Sequence, residues 1–383
     1  MGGDRSGRRP AARRYHAGVV ERGSEALSEA LRMVAPGTPL RDGLDRILQA
    51  KRGALVVVGD GPAVLSVCTG GFLLDAEYSP QRIAELAKMD GAIILARDGS
   101  RIARANVHLT PRASIPTSET GTRHRTAERV ARSIDVPVIS VSEAMATIAV
   151  YRNERKHTLQ RTGRLVDRAM QALATVQRFR QRFDAALSTL STLEVEDTVS
   201  VRDVAAVLQP AEMVVRFSEE IEEQLVELGE DGRLIRLQLL ELGAGLNENM
   251  ALVVKDYVAG WGGDGRRPRG PDAVDAALAA LHRLSAKELL DPEHLAGALG
   301  LAQASLTLDA GLESRGYRLL HRLPRVSDAI VERIVDRFDT LPRIMQASVG
   351  ELEKVDGVGA AKARAVKDGL ARRVEATILE RYH

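Results

Sequence analysis

Residues 53–59 have the sequence Gly-Ala-Leu-Val-Val-Val-Gly, five apolar residues bounded by glycines. A short apolar run with such boundaries is typical of a strand that is buried on both faces of a sheet. Further strands are predicted at 64–68, 92–95, 136–142 and 147–151, and around Ile102, where arginines alternate with apolar residues. These runs indicate a mainly buried, mixed sheet in the first part of the chain.

Helical patterns separate these strands. Apolar residues recur with helical spacing over 25–34, 40–50 and 122–134. Ser79 and Pro80 supply an N-cap and an N1 proline for a further helix that ends near Met89. The alternation of helices with strands predicts an α/β domain over residues 23–161. The residues before it, 1–22, are basic and are predicted to form a mobile tail.

The pattern changes after residue 161. From Leu165 to Leu190, apolar residues recur every three or four positions, which predicts one long amphipathic helix. Helical spacing continues over 201–208, 211–228 and 234–258, and again from 273 to the C terminus. The sequence therefore predicts a multidomain protein, α/β followed by all-α. A central helical spine is expected over 162–315, with a separate C-terminal domain over 316–383.

Length and composition fit this division. A chain of 383 residues is too long for one typical domain. The net charge is +2, so any surface for nucleic acid must be a local patch, and the 3% of aromatic residues disfavours base-stacking RNA modules. The single cysteine, Cys68, excludes a disulfide framework within the chain. We find neither a run of 18 apolar residues nor a secretory signal, and we expect a cytoplasmic protein without a membrane partner.

The densest chemistry lies at Thr122-Arg123-His124-Arg125-Thr126, followed by Glu128. These residues stand at the predicted start of a helix, where backbone N–H groups and the helix dipole favour an anion. Arginine adds forked donors that fit phosphate oxygens. The run therefore predicts a polyphosphate cradle, and the alternative is a solvated basic first turn.

A second candidate site is Asp90-Gly91-Ala92, directly before a predicted strand. The carboxylate of Asp90 suits a divalent cation or a proton, and Gly91 permits close approach of the backbone. An ordinary turn is the alternative. Gly59-Asp60-Gly61-Pro62 lacks the lysine and hydroxyl residue of a P-loop, and the eight histidines show no metal-ligand spacing.

The third feature is C-terminal. Residues 352–364 predict a helix, a turn at Gly357-Val358-Gly359 and a second helix, and residues 323–338 resemble a degenerate first copy of this unit. Backbone N–H groups at such a turn bind DNA phosphates without reading sequence. The candidate DNA contacts are Gly357, Gly359, Lys362 and Arg364. A helical hairpin with ordinary surface lysines is the alternative.

Together and in this order, these features resemble the DisA family of bacterial DNA integrity scanning proteins, which are diadenylate cyclases. The resemblance covers nearly the whole chain after the tail. It rests on Asp90-Gly91-Ala92, on Arg123-His124-Arg125 with Thr126 and Glu128, on 106–109 and 115–122, and on the C-terminal hairpins. It implies condensation of two ATP into the second messenger cyclic di-AMP with Mg²⁺ or Mn²⁺. It also implies an octamer with face-to-face cyclase domains, and a nucleoid-associated role in sensing DNA damage for repair.

The resemblance also implies roles for individual residues. Gly91, Ala92, Leu109 and Thr122–Thr126 would contact ATP, with Leu109 near the adenine and Ser142 near the phosphates. Asp90 would activate the 3′-hydroxyl directly or through the metal, and Arg123, His124 and Arg125 would serve catalysis. Arg112 departs from the family, where an acidic residue is usual.

The chemistry requires two cradles, because each 3′-hydroxyl attacks the α-phosphorus of the other ATP. The active site should therefore span two subunits, and branched DNA on the hairpins could regulate synthesis. A non-catalytic protein that binds DNA structures, such as a junction-binding repair subunit, is the competing interpretation. Only the enzyme needs the pairing of Asp90-Gly91-Ala92 with Arg123-His124-Arg125. An ATPase motor is disfavoured by the missing P-loop.

Overall fold

The structure is a computed structural model that describes residues 22–258, 271–301, 307–324 and 326–380. The predicted basic tail lies outside the described residues, apart from Arg22. The described residues form two compact units, one from within Met1–Ala172 with Glu220–Gln238 and the other from within Leu173–Glu219 with Leu239–His383. No helix in these ranges is sufficiently long and apolar to span a bilayer.

The first unit contains a mixed sheet, as predicted. In the described residues it has eight strands, in the order β2-β5-β4-β1-β6-β7-β8, with β3 also paired to β5. Strands β1 and β4 are parallel, and the other pairs are antiparallel. The strands are β1 Ala54–Val58, β2 Cys68–Thr69, β3 Phe72–Glu77, β4 Ala92–Leu95, β5 Arg101–Leu109, β6 Val138–Ser142, β7 Thr147–Arg152 and β8 Arg155–Thr158.

Helices cover both faces of this sheet. Val56 and Val58 of β1 face one core cluster, whereas Leu55 and Val57 face another, so β1 is apolar throughout. Residues of α1, α2 and α4 pack in the first cluster, and residues of α5 pack in the second. The bounds are α1 Arg22–Met33, α2 Pro39–Gln49, α3 Pro62–Leu65, α4 Pro80–Leu86 and α5 Thr122–Ser133.

The predicted strand at 64–68 is wrong. Pro62 occupies the first turn of α3, which ends at Leu65, and only Cys68–Thr69 then pairs as a strand. No strand is predicted from the sequence at β3 or β8. β3 exposes Phe72 and Leu73 to solvent, and β8 is a polar strand paired to β7, so neither has the apolar pattern of a buried strand.

The described residues after 161 are mainly helical, as predicted. The long amphipathic helix is α6, which spans 35 residues and buries Leu165, Val176 and Leu190. The segments predicted at 201–208 and 211–228 are one helix with Pro210 inside it, whereas 234–258 divides in two at Gly245, whose φ is +66°. The helices are α6 Thr162–Glu196, α7 Val201–Leu228, α8 Arg233–Gly243, α9 Leu246–Tyr257, α10 Pro271–Arg283 and α11 Pro292–Ala298.

The described residues near the C terminus contain five further helices. Leu320, Ile334, Leu341, Leu352 and Val366, one from each helix, meet in one buried cluster. The last two helices are joined by the predicted glycine turn, where Gly357 has a φ of +79°. The helices are α12 Tyr317–His321, α13 Asp328–Phe338, α14 Leu341–Gln346, α15 Val349–Leu352 and α16 Ala360–Glu380.

Candidate functional site

The sheet topology brings the predicted site residues to one edge. β1 and β4 are parallel with Val56 opposite Ile93, so Gly53 and Gly91 directly precede neighbouring strands. The antiparallel partners β5 and β6 end at that same edge. Asp90-Gly91-Ala92, Leu109 and Ser142 therefore gather there, although up to 52 residues separate them along the chain.

Gly91 is required by the close packing of β4 and β5. A Cβ atom at this position would lie 2.6 Å from the backbone nitrogen of Val107, and it would also overlap the backbone of Asn106. Asn106 itself has a φ of +54° at the irregular pairing of the two strands. The glycine thus allows the backbone between Asp90 and β4 to lie tightly against β5.

The helix predicted to start at Thr122 does begin there, as α5, and its first turn is the predicted anion site. Gly121 is the N-cap and provides no side-chain acceptor, so the first N–H groups of the helix are not capped by that residue. Thr122, Arg123 and Arg125 are exposed in this first turn, and Thr126 is half-buried. This arrangement offers backbone donors and guanidinium groups to one anion.

Arg123 connects the helix to the strand edge. Its Nη2 donates to Asp90 Oδ1 at 3.0 Å, and a Cβ atom at Gly53 would overlap its Nη1. Arg123 therefore crosses the start of β1 to reach the residue that precedes β4. The Asp90 side chain is 98% exposed, so the ion pair is open to solvent and to a ligand.

His124 faces the interior of the same unit. Its Nδ1 lies 3.0 Å from the Tyr151 hydroxyl and 3.1 Å from Ser140 Oγ. Burial lowers the pKa of His124, and the charges of Lys156 and Arg123 act in the same direction, whereas Glu119 opposes them. The neutral imidazole is therefore favoured when no anion is bound.

Glu128 fixes the loop that precedes α5. This carboxylate accepts hydrogen bonds from Thr117 Oγ1 and, at 3.0 Å, from the Ser118 N–H, and it pairs with Arg132 at 2.9 Å. Burial alone would raise the pKa of Glu128, but the hydrogen bonds from Thr117 and Ser118 and the charge of Arg132 hold it below its usual value. The anionic Glu128 thus ties 117–118 to the helix.

Two other predicted residues lie at the ends of β5 and β6, and a third lies in the loop after β5. Leu109, at the end of β5, is 6% exposed and belongs to the core cluster beneath α5. Ser142, at the end of β6, is buried, and its Oγ accepts a hydrogen bond from the Met145 N–H at 3.3 Å. Arg112 is an exposed residue of the loop after β5.

The Asp90 carboxylate fits a metal ion that binds together with the phosphates of a substrate. Among the described residues, no group of three or more His, Cys, Asp or Glu side chains is placed to hold a cation. Mg²⁺ is often held by one or two carboxylates together with substrate phosphates. The exposed Asp90, paired with Arg123 of the first turn of α5, matches that mode.

The C-terminal turn is supported from two sides. Arg333 Nη1 donates to the Asp356 carbonyl at 2.9 Å and pairs with its carboxylate at 3.2 Å, and Lys362 Nζ donates to the Gly357 carbonyl at 3.1 Å. Gly359 is exposed and a Cβ atom there would meet nothing within 4 Å. Arg364 is exposed one turn into α16. Hydrogen bonds from Arg333 and Lys362 thus hold the turn, while its outer surface stays open.

Sequence reasoning missed part of the site. Tyr151, Glu119 and Lys156 surround His124, and none of them is a candidate site residue on the sequence alone. Glu119 lies within the quoted stretch 115–122, and Tyr151 lies in a strand that the sequence did predict. A signal was available in the tyrosine hydroxyl, because a buried one generally needs a hydrogen-bond partner.

Comparisons with known proteins match nearly the whole chain. Residues 41–156 match the family model described as DisA bacterial checkpoint controller nucleotide-binding, and residues 159–308 match the one described as DisA bacterial checkpoint controller linker region. The DNA integrity scanning protein DisA of Kineococcus radiotolerans is 50% identical over 359 residues, which are 94% of this chain and 98% of that protein. The proteins of that name from Streptomyces coelicolor and Frankia alni are each 49% identical over 94% of this chain, and over 95% and 98% of their own lengths. The chain therefore belongs to the DisA family of DNA integrity scanning proteins and is a diadenylate cyclase.

Proposed function

We propose that this cyclase condenses two ATP molecules into cyclic di-AMP and two pyrophosphates at a site completed by two copies of the chain. The observation that carries the proposal is the pairing of Asp90 with Arg123 at the anion-binding start of α5. This cradle holds the phosphates of one ATP. Because each 3′-hydroxyl attacks the α-phosphorus of the other ATP, two cradles must face each other.

Each residue of the cradle has a role in this proposal. The N–H groups of α5, the hydroxyls of Thr122 and Thr126, and Arg123, His124 and Arg125 bind the phosphates. The backbone of Gly91 and Ala92 and the Leu109 side chain receive the nucleoside. Ser142 borders the phosphates. Most of the catalysis then comes from positioning and from charge neutralisation.

Asp90 would hold Mg²⁺ or Mn²⁺, which neutralises phosphate charge and increases the acidity of the attacking hydroxyl. Arg123 pairs with Asp90 in the unliganded chain. A triphosphate offers the guanidinium a more highly charged partner, so ATP binding releases the Asp90 carboxylate for this task. The ion pair thus keeps the site organised before the substrate arrives.

The assembly provides a direct test of the shared site. We propose an octamer with face-to-face cyclase domains, and we expect the rate per chain to fall when dilution dissociates it. Pyrophosphate release and sedimentation are measured on the same dilution series with saturating ATP and Mg²⁺. A monomeric fraction that keeps the full rate per chain would show that one copy suffices.

We further propose that the C-terminal domain, residues 316–383, binds the DNA backbone and regulates the cyclase. The N–H groups around Gly357 and Gly359 and the start of α16 would contact phosphate, assisted by Lys362 and Arg364. The hydrogen bonds that hold the turn and the open surface at Gly359 support this role. Binding is expected to be independent of sequence and to favour branched DNA, which places the protein at the nucleoid. Residues 23–161 form the cyclase domain and residues 162–315 form the spine in this proposal.

Two glycine variants separate DNA contact from folding. Gly357→Ala strains the turn, because φ is +79° and the Cβ atom would lie 2.6 Å from Arg333 Nη1, whereas Gly359→Ala has free space in the unbound protein. We expect Gly359→Ala to weaken binding of a four-way junction about tenfold by blocking the approach of phosphate, with unchanged stability and unchanged synthesis without DNA. Gly357→Ala should weaken binding at least as much and also lower the melting temperature.

Gly350→Ala is the matched control, because Gly350 lies in α15 and a Cβ atom there would also meet nothing within 4 Å. Fluorescence anisotropy of a labelled junction gives the affinities. Junction affinity equal to that of Gly350→Ala in both turn variants would rule out this turn as the DNA contact. Unchanged turnover and unchanged ATP affinity at saturating junction would rule out the proposed regulation.

A further inference from the structure

We propose that Tyr151 and Glu119 are positioning residues for His124 in this cyclase. They hold the imidazole with Nε2 directed towards the bound phosphates, and Nε2 takes up a proton when ATP binds. The proposal rests on the function proposed above. It assigns to two residues of the cyclase domain a role that acts through His124.

The three side chains form a continuous hydrogen-bonded row. Tyr151 donates its hydroxyl proton to Glu119 Oε1 at 3.2 Å, and the hydroxyl oxygen lies 3.0 Å from His124 Nδ1. The row joins the loop before α5, strand β7 and the first turn of α5. Since the tyrosine proton goes to the carboxylate, its oxygen is free to accept the proton on Nδ1. The Glu119 carboxylate therefore acts on the His124 imidazole indirectly, through the Tyr151 hydroxyl group.

The opposite edge of the imidazole faces the anion site. A Cβ atom at Gly121, the N-cap of α5, would lie 3.3 Å from His124 Cδ2. Nε2 is bonded to Cδ2, so it lies at the same end of the helix. Within the described part of the chain Nε2 has no hydrogen-bond partner, whereas Nδ1 has Tyr151 and Ser140. Nε2 can therefore take up a proton when an anion binds and donate it to a phosphate oxygen.

The charges around His124 make its protonation depend on the ligand. Lys156 and Arg123 disfavour the imidazolium and Glu119 favours it, while Lys156 also pairs with Glu119 at 2.6 Å. Ser140 and Tyr151 are the uncharged groups in contact. A bound triphosphate adds several negative charges at Nε2 and opposes the two cations. Proton uptake on binding follows, and Tyr151 and Glu119 stabilise the proton on the other nitrogen.

The test is calorimetry of the full-length protein with 3′-deoxy-ATP and Mg²⁺, since this nucleotide lacks the attacking hydroxyl and cannot react. Titrations in two buffers of different ionisation enthalpy, near pH 7.5, give the protons taken up per nucleotide. The wild-type protein should take up a fraction of a proton, and Tyr151→Phe should lose most of that uptake. The affinity of Tyr151→Phe for 3′-deoxy-ATP should fall about tenfold, as expected for the loss of one hydrogen bond to a charged group. Glu119→Gln, which keeps the shape of the row, should change both quantities in the same direction.

Tyr78→Phe is the control, because the Tyr78 hydroxyl donates to the Pro39 carbonyl at 3.0 Å and packs with the cluster on the other face of the sheet. Cyclic di-AMP synthesis against pH supplies a second readout. In Tyr151→Phe and Glu119→Gln the imidazolium should lose its proton at a lower pH than in the wild-type protein. The decline of kcat/KM at alkaline pH should therefore begin at a lower pH in these two variants, but not in Tyr78→Phe.

The proposal would be overturned if both variants took up as many protons as the wild-type protein and kept its pH profile. It would also be overturned if they lost activity while proton uptake and the pH profile stayed unchanged. If Tyr151→Phe does not fold, Glu119→Gln alone decides. Failure of the proposed function is distinguishable, because the wild-type protein would then bind 3′-deoxy-ATP with proton uptake but form no cyclic product from ATP.

Discussion

Asp90→Asn should lower cyclic di-AMP synthesis by at least about a thousandfold while the protein keeps its fold. Asn keeps the shape of the side chain but removes the charge that pairs with Arg123 and that would hold a divalent cation. Since the side chain is 98% exposed, its replacement removes no packing. The loss should appear in kcat rather than in the affinity for ATP, because Asp90 acts on the attacking hydroxyl and the α-phosphate.

Asp98→Asn is a matched control for this variant. Asp90 precedes β4, whereas Asp98 follows it at the opposite end of the strand, where it accepts hydrogen bonds from the Ser100 N–H and hydroxyl. Both proteins are compared by product chromatography, ATP binding and sedimentation. Asp98→Asn should keep wild-type synthesis, and an Asp90→Asn protein within tenfold of wild type would remove Asp90 from the chemistry.

Arg318→Met should destabilise the helical unit by about 3–5 kcal/mol, the range seen when one partner of a buried ion pair is removed. Arg318 is fully buried and pairs with the buried Glu194, and its Nη1 donates to Ser191 Oγ at 2.9 Å. A second buried carboxylate, Asp256, accepts the N–H groups of Tyr317 and Arg318 at 2.7 and 3.1 Å.

Burial raises the pKa of Asp256, and the charge of Glu194 adds to this effect, whereas Arg318 lowers it. Without the guanidinium, the carboxylates of Glu194 and Asp256 would both remain buried without the positive charge of Arg318. This explains the size of the expected loss of stability. Methionine fills part of the space left by the arginine, so most of the effect is electrostatic.

Arg202→Met is the control for this substitution. Arg202 pairs with Asp309 at 3.0 Å, but the two side chains are 54% and 78% exposed, so its loss should stay within about 1 kcal/mol. Urea unfolding gives the stability, and hydrogen exchange of residues 317–346 locates the change. Equal stability of the two variants would mean that the buried cluster contributes no more than a surface ion pair.

The strands that are buried on both faces were predictable, because burial requires apolar residues at every position. The apolar residues of β1 are buried on both faces, so no polar position interrupts the pattern. The exposed strand β3 and the polar strand β8 have no such constraint and depend on their neighbours for pairing. At 64–68 the local effect of Pro62, which favours a first helical turn, prevailed over the apolar pattern.

The residue types of the site were predictable, but most of their contacts were not. Arginine at a helix start indicated an anion site without reference to the rest of the chain. The pair between Asp90 and Arg123 depends on the register of β1 against β4, which no local pattern encodes. The partners of His124 come from β6, β7 and a loop, and they meet only when the sheet has formed.

The most direct test of the central claim is product analysis with the purified full-length protein, ATP and either Mg²⁺ or Mn²⁺. Chromatography and mass spectrometry identify the nucleotides, and pyrophosphate is counted in the same samples. Cyclic di-AMP with two pyrophosphates per product is the predicted result. ATP left unchanged with both metals by the folded, assembled protein would contradict it.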